Sequence, residues 1–240
     1  MINIISKEVN RKGKAIVYNS VQTLRALLTA NERATNSPKL DVCWQWAGVP
    51  GALNNTPKVN NFQQLVKFRE NDVPTIEFTS DRREAEKWIA SGKTVWGRKF
   101  NHTQALDVKL PTQPGFWKKS DFWVVVMDGP FDEYRQHIMW GKAISRGLKV
   151  LTGTETLGFA ARNRRNGWTL QRDTKVPEVV RATAAKAVKA LGYDFGAVDI
   201  IYKNNIAYVL EVNKAPGLDN KTASAYVKAF TKVAYGEWKK

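Results

Sequence analysis

Three oxygen-bearing side chains stand in an otherwise apolar stretch toward the C-terminal end. Asp199 lies in the run Ala197–Tyr202, Glu211 lies in the run Ile206–Val212, and Asn213 follows at once. A carboxylate in a strand meant for a core is costly unless it has a partner or a task. Two carboxylates and an amide form a hard oxygen set that suits Mg²⁺, an ion commonly shared between protein carboxylates and nucleotide phosphates. The plain alternative is an edge hairpin with solvated acids, since alternating strands often carry a polar outer face. A second chemical residue is Arg135, in the alternating segment Glu133–Trp140, which reads EYRQHIMW. Its plain reading is an ion pair with Glu133 or Asp132. His137 is expected to pack or hydrogen-bond.

These residues need a hairpin to position them. The two apolar runs flank Lys203-Asn204-Asn205, a β-hairpin pattern. Glu211 and Asn213 share a face because side chains alternate. A two-residue turn at Asn204-Asn205 pairs Asp199 with Leu210 and sends Asp199 to the opposite face. A three-residue turn, or one bulge, brings all three together. If the three share a metal, the turn is therefore expected not to be the simple two-residue type. Upstream, Pro177–Leu191 reads as a helix with an apolar stripe of Val180, Ala184, Ala187, Val188 and Leu191, stopped at Gly192. It delivers the chain into the hairpin.

An Asp, then Glu-x-Asn twelve positions on, then Lys-Ala-Pro-Gly, resembles the metal motif of the ATP-grasp superfamily. The segment Glu-Tyr-Arg-x-His is a second match. Among its members, the chain is most similar to ribosomal-protein glutamate ligases and small ATP-grasp proteins of bacteriophages. The resemblance implies an α/β (α+β) ATP-grasp fold over roughly residues 60–235, with ATP as substrate and Mg²⁺ (or Mn²⁺) held by Asp199, Glu211 and Asn213. It implies that Arg135 faces the transferred phosphate. It places Arg98, with Lys99 as runner-up, on the nucleotide phosphates, and the backbone of Val125, Val126 and Met127 on the adenine. Lys149, Arg162 and Asn163 would line the acceptor side.

The implied division is a short α/β lobe over 1–60, a lid over 61–121 and a C-terminal lobe over 122–240. In the first, Ala15–Tyr18 and Asp41–Ala47 read as strands, with a helix from Val21 to about Ala30 capped by Ser20. In the second, Phe62–Glu70 and Asp81–Ser91 read as helices, the latter capped by Thr79 or Ser80, and Thr75–Thr79 and Thr94–Phe100 as strands. Pro111–Ser120 reads as a loop, Phe122–Met127 as a buried strand, and Asn220–Tyr235 as a final helix. Lys142–Lys175 is a basic belt, with Gly153–Arg165 as a loop. Two features depart from the family. Asn60-Asn61 stands where an Asn-Lys pair is usual. The loop FNHTQALDV has no glycine, so His102, Thr103 and Gln104 would have to donate to phosphate from side chains.

The single Cys43 provides no intrachain disulfide and is expected to be buried; it fits a reducing cytosol. No apolar run approaches the roughly 20 residues of a membrane helix, and no signal peptide is expected, so a cytoplasmic protein without a membrane partner is expected. The net charge of +16 attracts polyanions. The expected activity is ATP-dependent ligation of a carboxylate to an amine through an acyl phosphate, with an acidic polypeptide or nucleic acid as acceptor. The alternative is a non-catalytic nucleic-acid-binding protein on a degenerate ATP-grasp scaffold. Phosphoryl transfer to an alcohol is a third reading.

Overall fold

The computed structural model describes residues 1–6, 19–44, 48–100, 108–153, 162–163, 166–172 and 174–240. In chain order the elements are β1 (Ile2–Ile5), α1 (Asn19–Thr29), α2 (Glu32–Thr35), β2 (Leu40–Cys43), α3 (Asn61–Glu70), β3 (Phe78–Thr79), α4 (Arg82–Ala90) and β4 (Val95–Arg98). They continue with α5 (Phe116–Lys119), β5 (Phe122–Val125), β6 (Asp132–Met139), β7 (Lys142–Leu151), β8 (Trp168–Gln171), α6 (Glu178–Ala190), β9 (Phe195–Lys203), β10 (Ile206–Asn213) and α7 (Asn220–Ala234). The strands build three sheets: parallel β1-β2, a three-stranded β3-β5-β4, and a five-stranded β10-β9-β6-β7-β8.

The helix starts follow local chemistry. Asn60 caps α3 and shares a capping box with Gln63, while Asp81 caps α4 and Asp219 caps α7. Thr79 and Ser80 do not cap α4; the Thr79 hydroxyl instead accepts from the Asp81 N–H (3.0 Å), one step before the cap. Ser20 lies inside α1 rather than ahead of it, and its hydroxyl accepts the Leu218 amide (3.0 Å). The expected loop Pro111–Ser120 contains the short α5. The strand expected at residues 15–18 lies outside the described residues, as does the 45–47 end of the second strand. β1, β7 and β8 were not legible. In β7, with its sequence KAISRGLKVL, charges on both faces hide the alternation.

The five-stranded sheet decides where chemistry can occur. One face carries Tyr134, Ile138, Val198, Ile200 and Val209, packed against Val180, Ala184, Ala187 and Val188 of α6. Among the described residues, the other face is covered at one end only. There Met139 and Phe195 pack with Tyr226 and Phe230 of α7 and with Trp44. Cys43 is fully buried beside Trp44, and burial pushes its thiol pKa up. At the other end the same face bears Glu133, Arg135, Asp199, Glu211 and Asn213. The three-stranded sheet joins the α6 side through Phe78, Phe122 and Val124. Among the described residues, no helix is long and apolar enough to cross a membrane.

Candidate active site

The hairpin uses both a tight turn and a bulge. Asn204 and Asn205 have φ of 50° and 62°, the left-handed values of a two-residue type I′ turn, and Lys203 pairs with Ile206. Continued regularly, this register would set Asp199 against Leu210. A bulge between Val209 and Glu211 absorbs Leu210, and Asp199 pairs with Glu211 instead. The turn is therefore the simple type after all. The bulge restores the shared face, because only this register buries Val198, Ile200, Val209 and Val212 together against α6.

β6 lies beside β9 with Arg135 opposite Asp199. Arg135, Asp199 and Glu211 thus form a row across three adjacent strands. The guanidinium grips Asp199 twice, Nε to Oδ1 and Nη2 to Oδ2, both 2.7 Å. Arg135 is indeed ion-paired, but with Asp199 rather than with Glu133 or Asp132. Lys149 reaches in from β7: its ammonium donates to Glu133 and lies 3.5 Å from Asp199 Oδ2. Asp199 is 4% exposed. Burial alone would raise its pKa, but Arg135 and Lys149 hold it well below the usual carboxylate range. Burial pulls Lys149 down, yet Asp199 and Glu133 outweigh it, so the ammonium is held charged. Glu133 is pushed up by burial against the pull of Lys149. His137, on the same face, is fully enclosed; its Nδ1 is 3.2 Å from the Tyr226 hydroxyl, and burial with Arg135 and Arg172 pushes its pKa down to about 3.

Glu211 is held by two amides. Asn213 Nδ2 donates to Oε1 (2.8 Å) and Asn61 Nδ2 to Oε2 (2.9 Å). Asn61 occupies the position of the expected lysine, at the first turn of α3, and so reaches the site after all. Gln64, one turn on, pairs side chain to backbone with Val212 in both directions, accepting at 2.7 Å and donating at 3.2 Å. This contact fastens α3 to the outer edge of β10 beside Glu211. For a divalent cation, the oxygen donors of Glu211 and Asn213 are adjacent and hard, and they fit Mg²⁺. Asp199 fits as a third donor once Arg135 releases one of its oxygens.

No family model matches the chain, and no curated protein matches it. Solved structures do. D-alanine–D-alanine ligase from Bacillus anthracis superposes with a TM-score of 0.61 at 13% identity, covering 99% of both chains. The chain has the ATP-grasp fold. The ATP-grasp ligase PsnB, complexed with minimal precursor, Mg and ADP, gives 0.55 at 14% identity over 76% of this chain and 63% of its own. The macrocyclase MdnC from Microcystis aeruginosa, bound with precursor peptide MdnA, gives 0.52 at 13% identity over 74% and 61%. The chain thus spans less than two thirds of those two proteins. Closer kinship to ribosomal-protein glutamate ligases or phage proteins rests on the motifs alone.

Within the ATP-grasp fold the remaining expected residues divide. Arg98 pairs across the three-stranded sheet with Phe122, and Trp96 with Val124. Arg98 is therefore on the inner face, the one whose apolar residues join the α6-side core. Lys99 is engaged elsewhere, in an ion pair with Asp121 (2.9 Å) that also receives the Phe100 amide (2.9 Å). Burial opposes these bonds, but they hold the Asp121 carboxyl below its ordinary pKa. At the expected hinge, the amides of Val125 and Val126 donate to Glu77 and Thr94 (both 2.9 Å), while the Met127 amide makes no hydrogen bond among the described residues. Arg162 stacks on Phe131 and Trp168 (3.9 and 4.5 Å to the ring centroids) and donates to the Phe131 carbonyl. It lies near enough to Glu133 to lower its pKa. Asn163 accepts from the amides of Asn166 and Trp168 and organises that turn. His102, Thr103 and Gln104 lie outside the described residues, as do residues 154–161, 164 and 165 of the expected loop.

Sequence reasoning missed Asn61, Gln64 and the Glu133–Lys149 pair. Asn61 and Gln64 carry an amide at helix spacing, which points as readily to solvent. The Glu133–Lys149 pair depends on a strand that was not legible.

Proposed function

We propose that this chain is an ATP-dependent ligase that joins a carboxylate to an amine. A substrate carboxylate oxygen attacks the γ-phosphorus of ATP and ADP leaves. The amine then attacks the acyl carbon of the acyl phosphate, loses a proton, and expels phosphate. The observation that carries this reading is the row of Arg135, Asp199 and Glu211 across three strands of an ATP-grasp fold, with Asn213 against Glu211.

In this reading Arg135 is the catalytic residue. Its guanidinium already lies in the row, where it donates twice to Asp199. A cation fixed there stabilises charge that develops on the transferred phosphoryl group. Arg98 supplies a second cation from the inner face of the lid. Adenine lies against Val125–Met127, where the free Met127 amide is the donor. Glu211, Asn213 and Asp199 would hold Mg²⁺, which when bound neutralises phosphate charge. Lys149 and Arg162 sit on the acceptor side, Lys149 holding Glu133 and Asp199 in place. MdnC is seen with a precursor peptide, which supports a polypeptide acceptor, and the net charge of +16 favours an acidic one. Among the described residues, no feature of the site supports the nucleic-acid-binding alternative.

The test is calorimetry of ATP with and without Mg²⁺, on the wild type and on Glu211→Ala. Mg²⁺-dependent binding that disappears in the variant is the expected result, followed by a screen of carboxylate–amine pairs for ADP release. Absence of ATP binding by the wild type overturns the reading.

A further inference from the structure

The lysines on the outer flank of α7 serve no role in the ligase reading. Lys221, Lys228 and Lys232 follow one another on one side of the helix and, with Trp238, Ala143 and Ile144, line a groove of about 360 Å³. Lys142 joins them from the start of β7. Its ammonium stands 4.8 Å from the Trp238 ring centroid and that of Lys232 5.3 Å. None of these four lysines has an ion-pair partner among the described residues. The nearby carboxylates are engaged elsewhere, Asp219 with Arg172 and Glu237 with Arg33.

The same groove borders a sheet edge that has no strand partner among the described residues, where Arg172 donates to the Ser145 hydroxyl (3.0 Å). β8 pairs with β7 only from Leu148 to Leu151. The stretch from Lys142 to Gly147 pairs with β6 on one side. Among the described residues, its other side has no strand partner. Such an edge accepts an added strand through main-chain hydrogen bonds. Edge charges usually repel further strands. Here they are all positive, so they repel a basic strand and favour an acidic one.

We propose that this groove docks an extended acidic polypeptide, which adds a strand to the free edge of β7 while its carboxylates meet the α7 lysines. The spacing agrees. Lys228 and Lys232 are about 6 Å apart along the helix axis, and side chains on one face of a strand recur about every 6.8 Å. The apolar floor between the lysines suits the intervening side chains. A single-stranded nucleic acid would depend on base stacking, but the Trp238 ring is already engaged by two ammonium groups.

The test measures binding without nucleotide, so its failure and that of the ligase reading are separable. The probe is a fluorescein-labelled peptide of alternating Glu and Val, followed by anisotropy with the full chain. Lys228→Glu with Lys232→Glu is compared with Lys186→Glu with Lys189→Glu on α6, an exposed pair on the far side of the sheet that changes net charge equally. Matched thermal unfolding shows that both variants fold. The groove variant is expected to bind roughly tenfold or more weakly, the loss of about 1.4 kcal/mol, while the α6 variant stays close to wild type. N-methylation of alternate peptide amides is expected to cost a similar factor. Equal loss in both variants, indifference to N-methylation, or absence of binding overturns the proposal. So does equal or tighter groove-dependent binding of an RNA oligomer of matched charge.

Discussion

Replacing Arg135 by Met and Asp199 by Asn, singly and together, tests the centre of the row. Asp199 is 4% exposed and receives two hydrogen bonds of 2.7 Å from Arg135. Removing one member of a buried ion pair costs about 3–5 kcal/mol, because the other is left uncompensated. In Arg135→Met, Lys149 still stands 3.5 Å from the orphaned carboxylate, which sets the loss near the lower end, about 3 kcal/mol. In Asp199→Asn, Arg135 and Lys149 both lose a partner, so about 4 kcal/mol is expected. The double variant leaves Lys149 paired with Glu133 and no orphan at the row's centre. It should lose about 4 kcal/mol rather than the additive 7, a coupling of about 3 kcal/mol. Urea unfolding followed by fluorescence, with an unchanged m-value, measures all four. Additivity within about 0.5 kcal/mol refutes the pairing. Repeating the cycle with saturating Mg²⁺ and ATP extends it: the coupling shrinks if Arg135 turns from Asp199 to phosphate.

Gln64→Leu leaves the buried Val212 amide and carbonyl unpaired at the edge of β10 and should cost about 2–3 kcal/mol in urea unfolding. It should also weaken Mg²⁺-dependent ATP binding, since Glu211 is the next residue. His137, neutral and buried, gives a pH signature. Its pKa is pushed down to about 3 in the fold, whereas the unfolded chain takes the proton near 6.5. Between those values the unfolded state binds more protons, so stability falls as pH drops, by about 1.4 kcal/mol per unit from this group. His137→Asn should flatten unfolding free energy between about pH 6.5 and 5 relative to wild type; an unchanged slope would falsify the buried neutral assignment. Asp199 acts at lower pH. Its folded pKa is depressed, so its stabilisation is complete above about pH 4 and is lost as pH falls below that. Arg135→Met should therefore raise the midpoint of acid unfolding, read by far-UV circular dichroism.

The hairpin, the helix before it, the order of helices and strands over 61–121 and the shared face of Glu211 and Asn213 were legible because each rests on local rules. Strand alternation, turn residues and helix stripes act over a few positions, and acids in apolar runs announce a task. Those rules also set out the conflict in the hairpin: a tight Asn-Asn turn and a shared acidic face cannot both hold in a regular ladder. Packing against α6 resolved it with a bulge at Leu210, a choice no local rule makes. β7 was hidden for a related reason. One of its faces meets the polar site and the other is not uniformly apolar, so KAISRGLKVL lacks the period that marks a strand. Everything depending on β7 was hidden with it: the Lys149 contacts to Glu133 and Asp199, the open edge from Lys142, and the groove against α7. Asn61 shows the same limit in one residue. The sequence by itself determined which side chains could do chemistry and that Glu211 and Asn213 would share a face. Only the tertiary structure decided which would touch, because contacts such as Arg135 with Asp199, Asn61 with Glu211 and Gln64 with Val212 join positions far apart in the chain. Their geometry is set by how helices and sheet bury their apolar sides.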